Sequence, residues 1–159
     1  MNHVRSARLV GDGRFHHLWQ VGCHRRRNFA RIGRDLPGLL LLKWPEWYPN
    51  SEDVKFVSQG PVLQRGSVFR WRTFGLPLES RINEFVPYSR IGWFGYAPGA
   101  VPSFYHTWYL MQQNSGCLVV TEEAGRGVGT AHLRQADESL MYRSHDLWLA
   151  TLKWVSEGR

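Results

Sequence analysis

The feature that most constrains this chain is a series of aromatic and β-branched runs between residues 53 and 123, separated by turns too short to hold a crossover. Strands are predicted near 53–58, 67–74, 79–86, 89–96, 104–112 and 117–123, each closed by Gly, Pro or Asn. Gly75-Leu76-Pro77, Pro87-Tyr88 and Gln113-Asn114-Ser115-Gly116 separate successive runs. A parallel connection needs a dozen residues or more, so these neighbours must be antiparallel. The expectation is a meander of long strands.

The flanks differ from this centre. From His132 to Ser156 there is no Pro or Gly, and Leu140, Met141, Leu147, Trp148, Leu152 and Val155 recur at helical steps. They predict one amphipathic helix of about 25 residues. Asp137 and Glu138 near its start and Lys153 near its end suit the helix dipole. A sheet with one apolar face needs a cover, and this helix is the candidate. Upstream, Pro37, Pro45 and Pro49 limit the Leu- and Trp-rich segment 36–50 to a helical turn or two.

Residues 1–35 show no sustained period and hold eight arginines against Asp12 and Asp35, which accounts for +6 of the net charge of +7. The expected division is therefore 1–35, an atypical basic and partly disordered segment, and 36–159, a nearly neutral folded domain. That distribution argues against a sequence-specific nucleic-acid reader. With 159 residues and 43% hydrophobic content the chain suits one well-cored domain. Cys23 and Cys117 are too few and too far apart for a secreted disulfide framework, which with the lack of an apolar leader or 20-residue span points to a cytoplasmic protein.

Trp44-Pro-Glu-Trp-Tyr-Pro-Asn50, Gly66-Ser-Val-Phe-Arg-Trp71, Glu84-Phe-Val-Pro-Tyr-Ser-Arg-Ile-Gly-Trp93, His106-Thr-Trp108 and Thr121-Glu-Glu123, followed by a long final helix, together resemble the START-like (SRPBCC, polyketide cyclase/dehydrase) superfamily over about residues 39–157. The resemblance implies an α+β helix-grip fold: a bent antiparallel sheet wrapped around a C-terminal helix, enclosing a hydrophobic cavity for lipids, polyketides or other apolar molecules. It also implies an N-terminal strand and a Trp-bearing helix, for which Phe15–Gln20 with Trp19 is the available stretch.

Strand alternation selects the inward residues. Phe69 and Trp71 oppose Arg70 and Arg72; Ile82, Glu84 and Val86 oppose Arg81, Asn83 and Phe85. Ile91 and Trp93 oppose Arg90 and Phe94, while Phe104, His106, Trp108 and Leu110 oppose Tyr105, Thr107 and Tyr109. With Trp47 and Trp148, the expected cavity lining is Trp47, Phe69, Trp71, Ile82, Glu84, Trp93, Phe104, His106, Trp108 and Trp148. Glu84 and His106 are its polar members. They orient a ligand carbonyl or hydroxyl, form an acid/base pair, or are simply satisfied internal groups. Of the neighbours Glu122 and Glu123, one should face solvent and the other the cavity rim.

Other motifs carry less. Ser144-His145-Asp146 cannot be a triad, since successive helical residues point about 100° apart. Gly125-Arg-Gly-Val-Gly-Thr130 has the spacing of neither the dinucleotide nor the Walker phosphate loop and reads as a flexible loop able to gate the cavity. His16, His17, Cys23 and His24 lack zinc-ligand spacing. No metal or cofactor is expected. The first expectation for function is binding of an apolar or aromatic small molecule by a monomer or homodimer. The alternatives are a cyclase or dehydratase using Glu84 and His106, and a basic adaptor binding RNA or anionic lipid through residues 1–35.

Overall fold

The computed structural model describes residues 6–10, 14–23, 39–58, 63–101, 103–113 and 116–156. Eight strands form one antiparallel sheet: β1 Ser6–Val10, β2 Arg14–Cys23, β3 Glu52–Phe56, β4 Val68–Thr73, β5 Leu76–Val86, β6 Arg90–Tyr96, β7 Phe104–Gln113 and β8 Gly116–Gly125. Their spatial order is β1-β2-β8-β7-β6-β5-β4-β3. The helices among the described residues are α1 Leu39–Leu42, α2 Trp44–Trp47, α3 Val128–Ala136 and α4 Leu140–Ser156. The sheet bends around the C-terminal helices, which is the helix-grip architecture.

The central meander follows the sequence reading closely, because each turn carries its own chemistry. The β4–β5 hairpin turns on Phe74 and Gly75 alone, both at positive φ (50° and 75°). Two such residues in succession match the right-handed twist of paired strands. Leu76 and Pro77, expected in the turn, instead open β5 opposite Thr73 and Arg72. The register sets Gln113 against Gly116, and Asn114 and Ser115 between them lie outside the described residues.

Three expectations are corrected. First, residues 1–35 contain two strands: β2 pairs with β8 from Phe15↔Gly125 to Cys23↔Cys117, so Trp19 lies on a strand and not on a helix. Backbone pairing to a neighbouring strand leaves no periodic signature in an Arg-, His- and Gly-rich stretch. The arginines at 25–27, 31 and 34 lie outside the described residues. Far apart in sequence, the two cysteines are Cα partners, and Cys117 is buried.

Second, the C-terminal helix is two helices. Asp137 leaves helical geometry (φ −156°), and its Oδ1 accepts from the backbone N–H and the hydroxyl of Ser139. This local capping competes with a continuous helix. Third, most of the glycine segment lies in regular elements and not in a loop. β8 ends at Gly125 and α3 begins at Val128, leaving only Arg126 and Gly127 between them, with Gly127 at φ 96°. A Cβ on Gly125 would lie 2.5 Å from Thr130 Cγ2 and 3.0 Å from the Phe104 ring, so this turn is tightly packed.

The core sits between the concave face and α4, and Trp148 is its hub. The Trp148 ring stacks on Tyr48 at 4.6 Å and meets Trp44 and Trp108 edge-on at 4.8 and 5.1 Å. Such pairs contribute about 0.5–1.5 kcal/mol each beyond their area burial. Among the described residues no helix is long and apolar enough to cross a membrane.

Candidate functional site

Among the described residues, two spaces open on the concave face. The larger, about 90 Å³, lies between the sheet and the α3–α4 pair, with Trp71, Trp93, Phe104, His106 and Trp148 in its wall. The smaller, about 10 Å³, is a packing gap among Phe69, Ile82, Trp108, Trp44 and Leu41. The expected lining thus divides. Phe69, Ile82 and Trp108 belong to the packed core, and Trp47 is buried away from both spaces.

Glu84 is not in the cavity. Between Ile82↔Trp93 and Glu84↔Gly92 the β5–β6 register slips by one residue at Asn83. A bulge of this kind reverses the facing of every residue beyond it. Phe85 therefore packs against the core, where Val86 and Glu84 had been expected. The Glu84 carboxylate lies on the outer face, accepting from the Tyr105 hydroxyl (2.7 Å) and pairing with Arg90 Nε (2.8 Å). Gly92 makes room for this: a Cβ there would stand 2.7 Å from the Tyr105 hydroxyl oxygen. Glu84 and His106 thus occupy opposite faces and cannot act as a pair.

A different carboxylate meets His106. Glu123 on β8 lines the pocket, in keeping with the expectation that one of Glu122 and Glu123 reaches the rim. Its Oε2 lies 3.9 Å from His106 Nδ1 and 3.1 Å from His145 Nε2. His145 comes from α4, one residue from Ser144, which also lines the pocket. Ser144 donates its hydroxyl to Met141 O, a helix carbonyl, so no triad forms.

Hydrogen bonds fix the protons of this corner. Trp108 Nε1–H donates to His106 Nε2 at 2.8 Å, and an indole N–H can only donate. His106 Nε2 is therefore the accepting nitrogen, beside Thr121 Oγ1 at 2.5 Å, and the ring proton sits on Nδ1, toward Glu123. Burial first, then the neighbouring His145, holds the His106 pKa well below the usual imidazole range, so this ring is neutral. On His145, Nδ1 stands 2.8 Å from Met141 O. A carbonyl only accepts, so Nδ1 carries a proton and Nε2 faces Glu123.

The rest of the pocket is apolar or small. Thr73, Ser80 and Gly95 face it where bulkier residues would fill it, and Leu133, Leu140 and Met141 close it from the helix side. Trp71 Nε1–H is satisfied by Ser80 Oγ at 3.1 Å. Tyr48 contributes a phenol whose pKa burial pushes up to about 12. Of the residues that α4 brings to the pocket, Trp148 was expected in the lining and His145 was not.

A bent antiparallel sheet gripping a helix, with an apolar pocket and one polar corner between them, defines the helix-grip class. No protein-family model and no curated protein matches the chain. Solved structures do match. A hypothetical protein, jhp0584, from Helicobacter pylori aligns over 98% of this chain and 99% of its own at 22% identity, TM-score 0.74. The Zhui aromatase/cyclase from Streptomyces sp. R1128 aligns over 91% and 94% at 15% identity, TM-score 0.66. Ara h 8.0201 aligns over 92% and 100% at 9% identity, TM-score 0.63. The fold is shared with the Zhui aromatase/cyclase and with Ara h 8.0201.

Proposed function

We propose that the protein binds an apolar or aromatic small molecule, lipid-like or polyketide-like, in the pocket between the sheet and α3–α4. The observation that carries this reading is the pocket's composition: apolar walls from Trp71, Trp93, Phe104 and Trp148, with a polar corner confined to one end. Ligand sites commonly have this form, a greasy enclosure with a few placed polar groups. Affinity comes from apolar burial, about 25 cal/mol per Å² before association costs, and the corner orients a carbonyl or hydroxyl. At about 90 Å³ the space takes a few heavy atoms, below the roughly 300–1,000 Å³ of common ligand sites. A larger ligand enters by displacing Leu133, Leu140 and Met141 on the helix side.

Native mass spectrometry of the purified protein, followed by denaturing extraction, tests the reading. The expected result is a stoichiometric apolar adduct. Absence of any adduct, together with unchanged tryptophan fluorescence across a panel of aromatic ligands, would overturn it.

Cyclase-type turnover of a polyketide-like substrate is the second reading. It is favoured by the three-residue corner of His106, Glu123 and His145 facing the pocket, and it no longer involves Glu84. Glu123→Gln separates the two readings: it abolishes turnover in an enzyme and only trims affinity in a carrier.

A further inference from the structure

We infer that His106, Glu123 and His145 form a binding site for a divalent first-row transition-metal ion, open on the pocket side. This goes beyond apolar-ligand binding and does not depend on it. The three donor atoms all lie within 4.8 Å of one another at the pocket wall. Metal–nitrogen and metal–oxygen bonds of about 2.0–2.2 Å place tetrahedral donors about 3.4 Å apart, so closure around an ion requires side-chain shifts of roughly an ångström.

The second shell supports the assignment. His145 holds Nδ1–H against the Met141 carbonyl and directs Nε2 at Glu123, the posture that fixes a ligating histidine's tautomer. His106 coordinates through Nδ1, whose proton transfers to Nε2, where Thr121 Oγ1 stands to accept it. That tautomer gives up the bond from Trp108 Nε1–H. Two imidazoles and one carboxylate suit zinc or iron(II), and three protein ligands leave positions for water or a ligand polar group. Trp71, Trp93 and Trp148 line the cavity that those positions face.

The test is isothermal calorimetry of Zn²⁺ with the full chain, in buffers of different ionisation heat, together with Co²⁺ absorption. Expected are one site of micromolar affinity or better and visible Co²⁺ bands of a low-coordinate site. Even second-shell changes cost on the order of 10–100-fold in affinity, so Glu123→Gln and His145→Ala weaken binding by at least about 100-fold. Thr121→Val, which removes the acceptor for His106, weakens it by about tenfold. Glu123→Gln is nearly isosteric, and an unchanged circular dichroism spectrum shows that its loss of binding is not loss of fold. The combined His16→Ala, His17→Ala, His24→Ala and Cys23→Ser variant retains the site. Absence of one-to-one binding, affinity unchanged by Glu123→Gln and His145→Ala, or loss in the N-terminal variant would each overturn the assignment.

Discussion

The two ends of the concave face are built from the same strands yet differ in what they enclose. At one end Phe69, Ile82 and Trp108 meet Leu41 and Trp44 from α1 and α2, leaving a gap of about 10 Å³. At the other, Thr73, Ser80 and Gly95 occupy inward positions, and about 90 Å³ stays open beneath α3 and α4. The backbone plan is shared, so the difference is one of side-chain size. Small residues at alternating positions keep space open that a tryptophan or isoleucine would fill. The open end is also the polar end, where Glu123 reaches in, whereas the similar carboxylate Glu84 is turned out by one bulged residue.

Breaking the packed end has the largest effect. Trp148→Ala removes the ring that stacks on Tyr48 and touches Trp44, Trp71, Trp93 and Trp108. The expected loss is about 3–5 kcal/mol, read as the shift of the urea midpoint at constant slope. Gly125→Ala probes the border of the open end. Its Cβ would stand 2.5 Å from Thr130 Cγ2, so overpacking costs about 1–3 kcal/mol even though a single methyl is added near a cavity.

Glu84→Gln sharpens the contrast between the carboxylates. Its partner Arg90 is 44% exposed and Glu84 itself 34%, so the change in stability is at most about 1 kcal/mol and ligand affinity is unchanged. Asp137→Asn gives the smallest effect. Arg143, then Ser139, holds the exposed Asp137 carboxyl down at about 2. A depressed carboxyl stabilises the fold fully above its unfolded value of 3.8, and that contribution is lost as pH falls toward about 2. The Asn variant therefore shows a shallower decline of melting temperature across that acid window than the parent.

Much of this was legible in the residues. The six central strands could be read from β-branched and aromatic runs, and α1 and α2 from the prolines that confine them. Inward facing was readable up to Ile82 and from Ile91 onward, because arginines on one face and aromatics on the other leave one arrangement. The bulge at Asn83 was not legible. Its two sides alternate equally well in either phase, and the slip is decided by pairing with Gly92 and by the Tyr105–Glu84–Arg90 contacts. The break at Asp137 left a trace, an Asx-type cap signal inside a helical pattern, which the surrounding periodicity hides. Strand β2 exists through pairing to β8 and β1 through pairing to β2, and a local reading of their own sequence has no access to that.

The central claim is that the open end takes an apolar ligand, and Gly95 tests it most directly. A Cβ at Gly95 meets only Phe104 Cβ, at an ordinary 3.6 Å, and the position faces the pocket, so a side chain starts there without a clash and Gly95→Leu occupies the space. The measurement is the binding isotherm of a naphthalene-sized fluorescent aromatic to the parent and to Gly95→Leu, with thermal unfolding of both. The account predicts saturable one-to-one binding by the parent, loss of at least about tenfold in affinity in the variant, and a melting temperature equal or higher, since a strand glycine is replaced and a cavity filled. Equal binding by both proteins would contradict it.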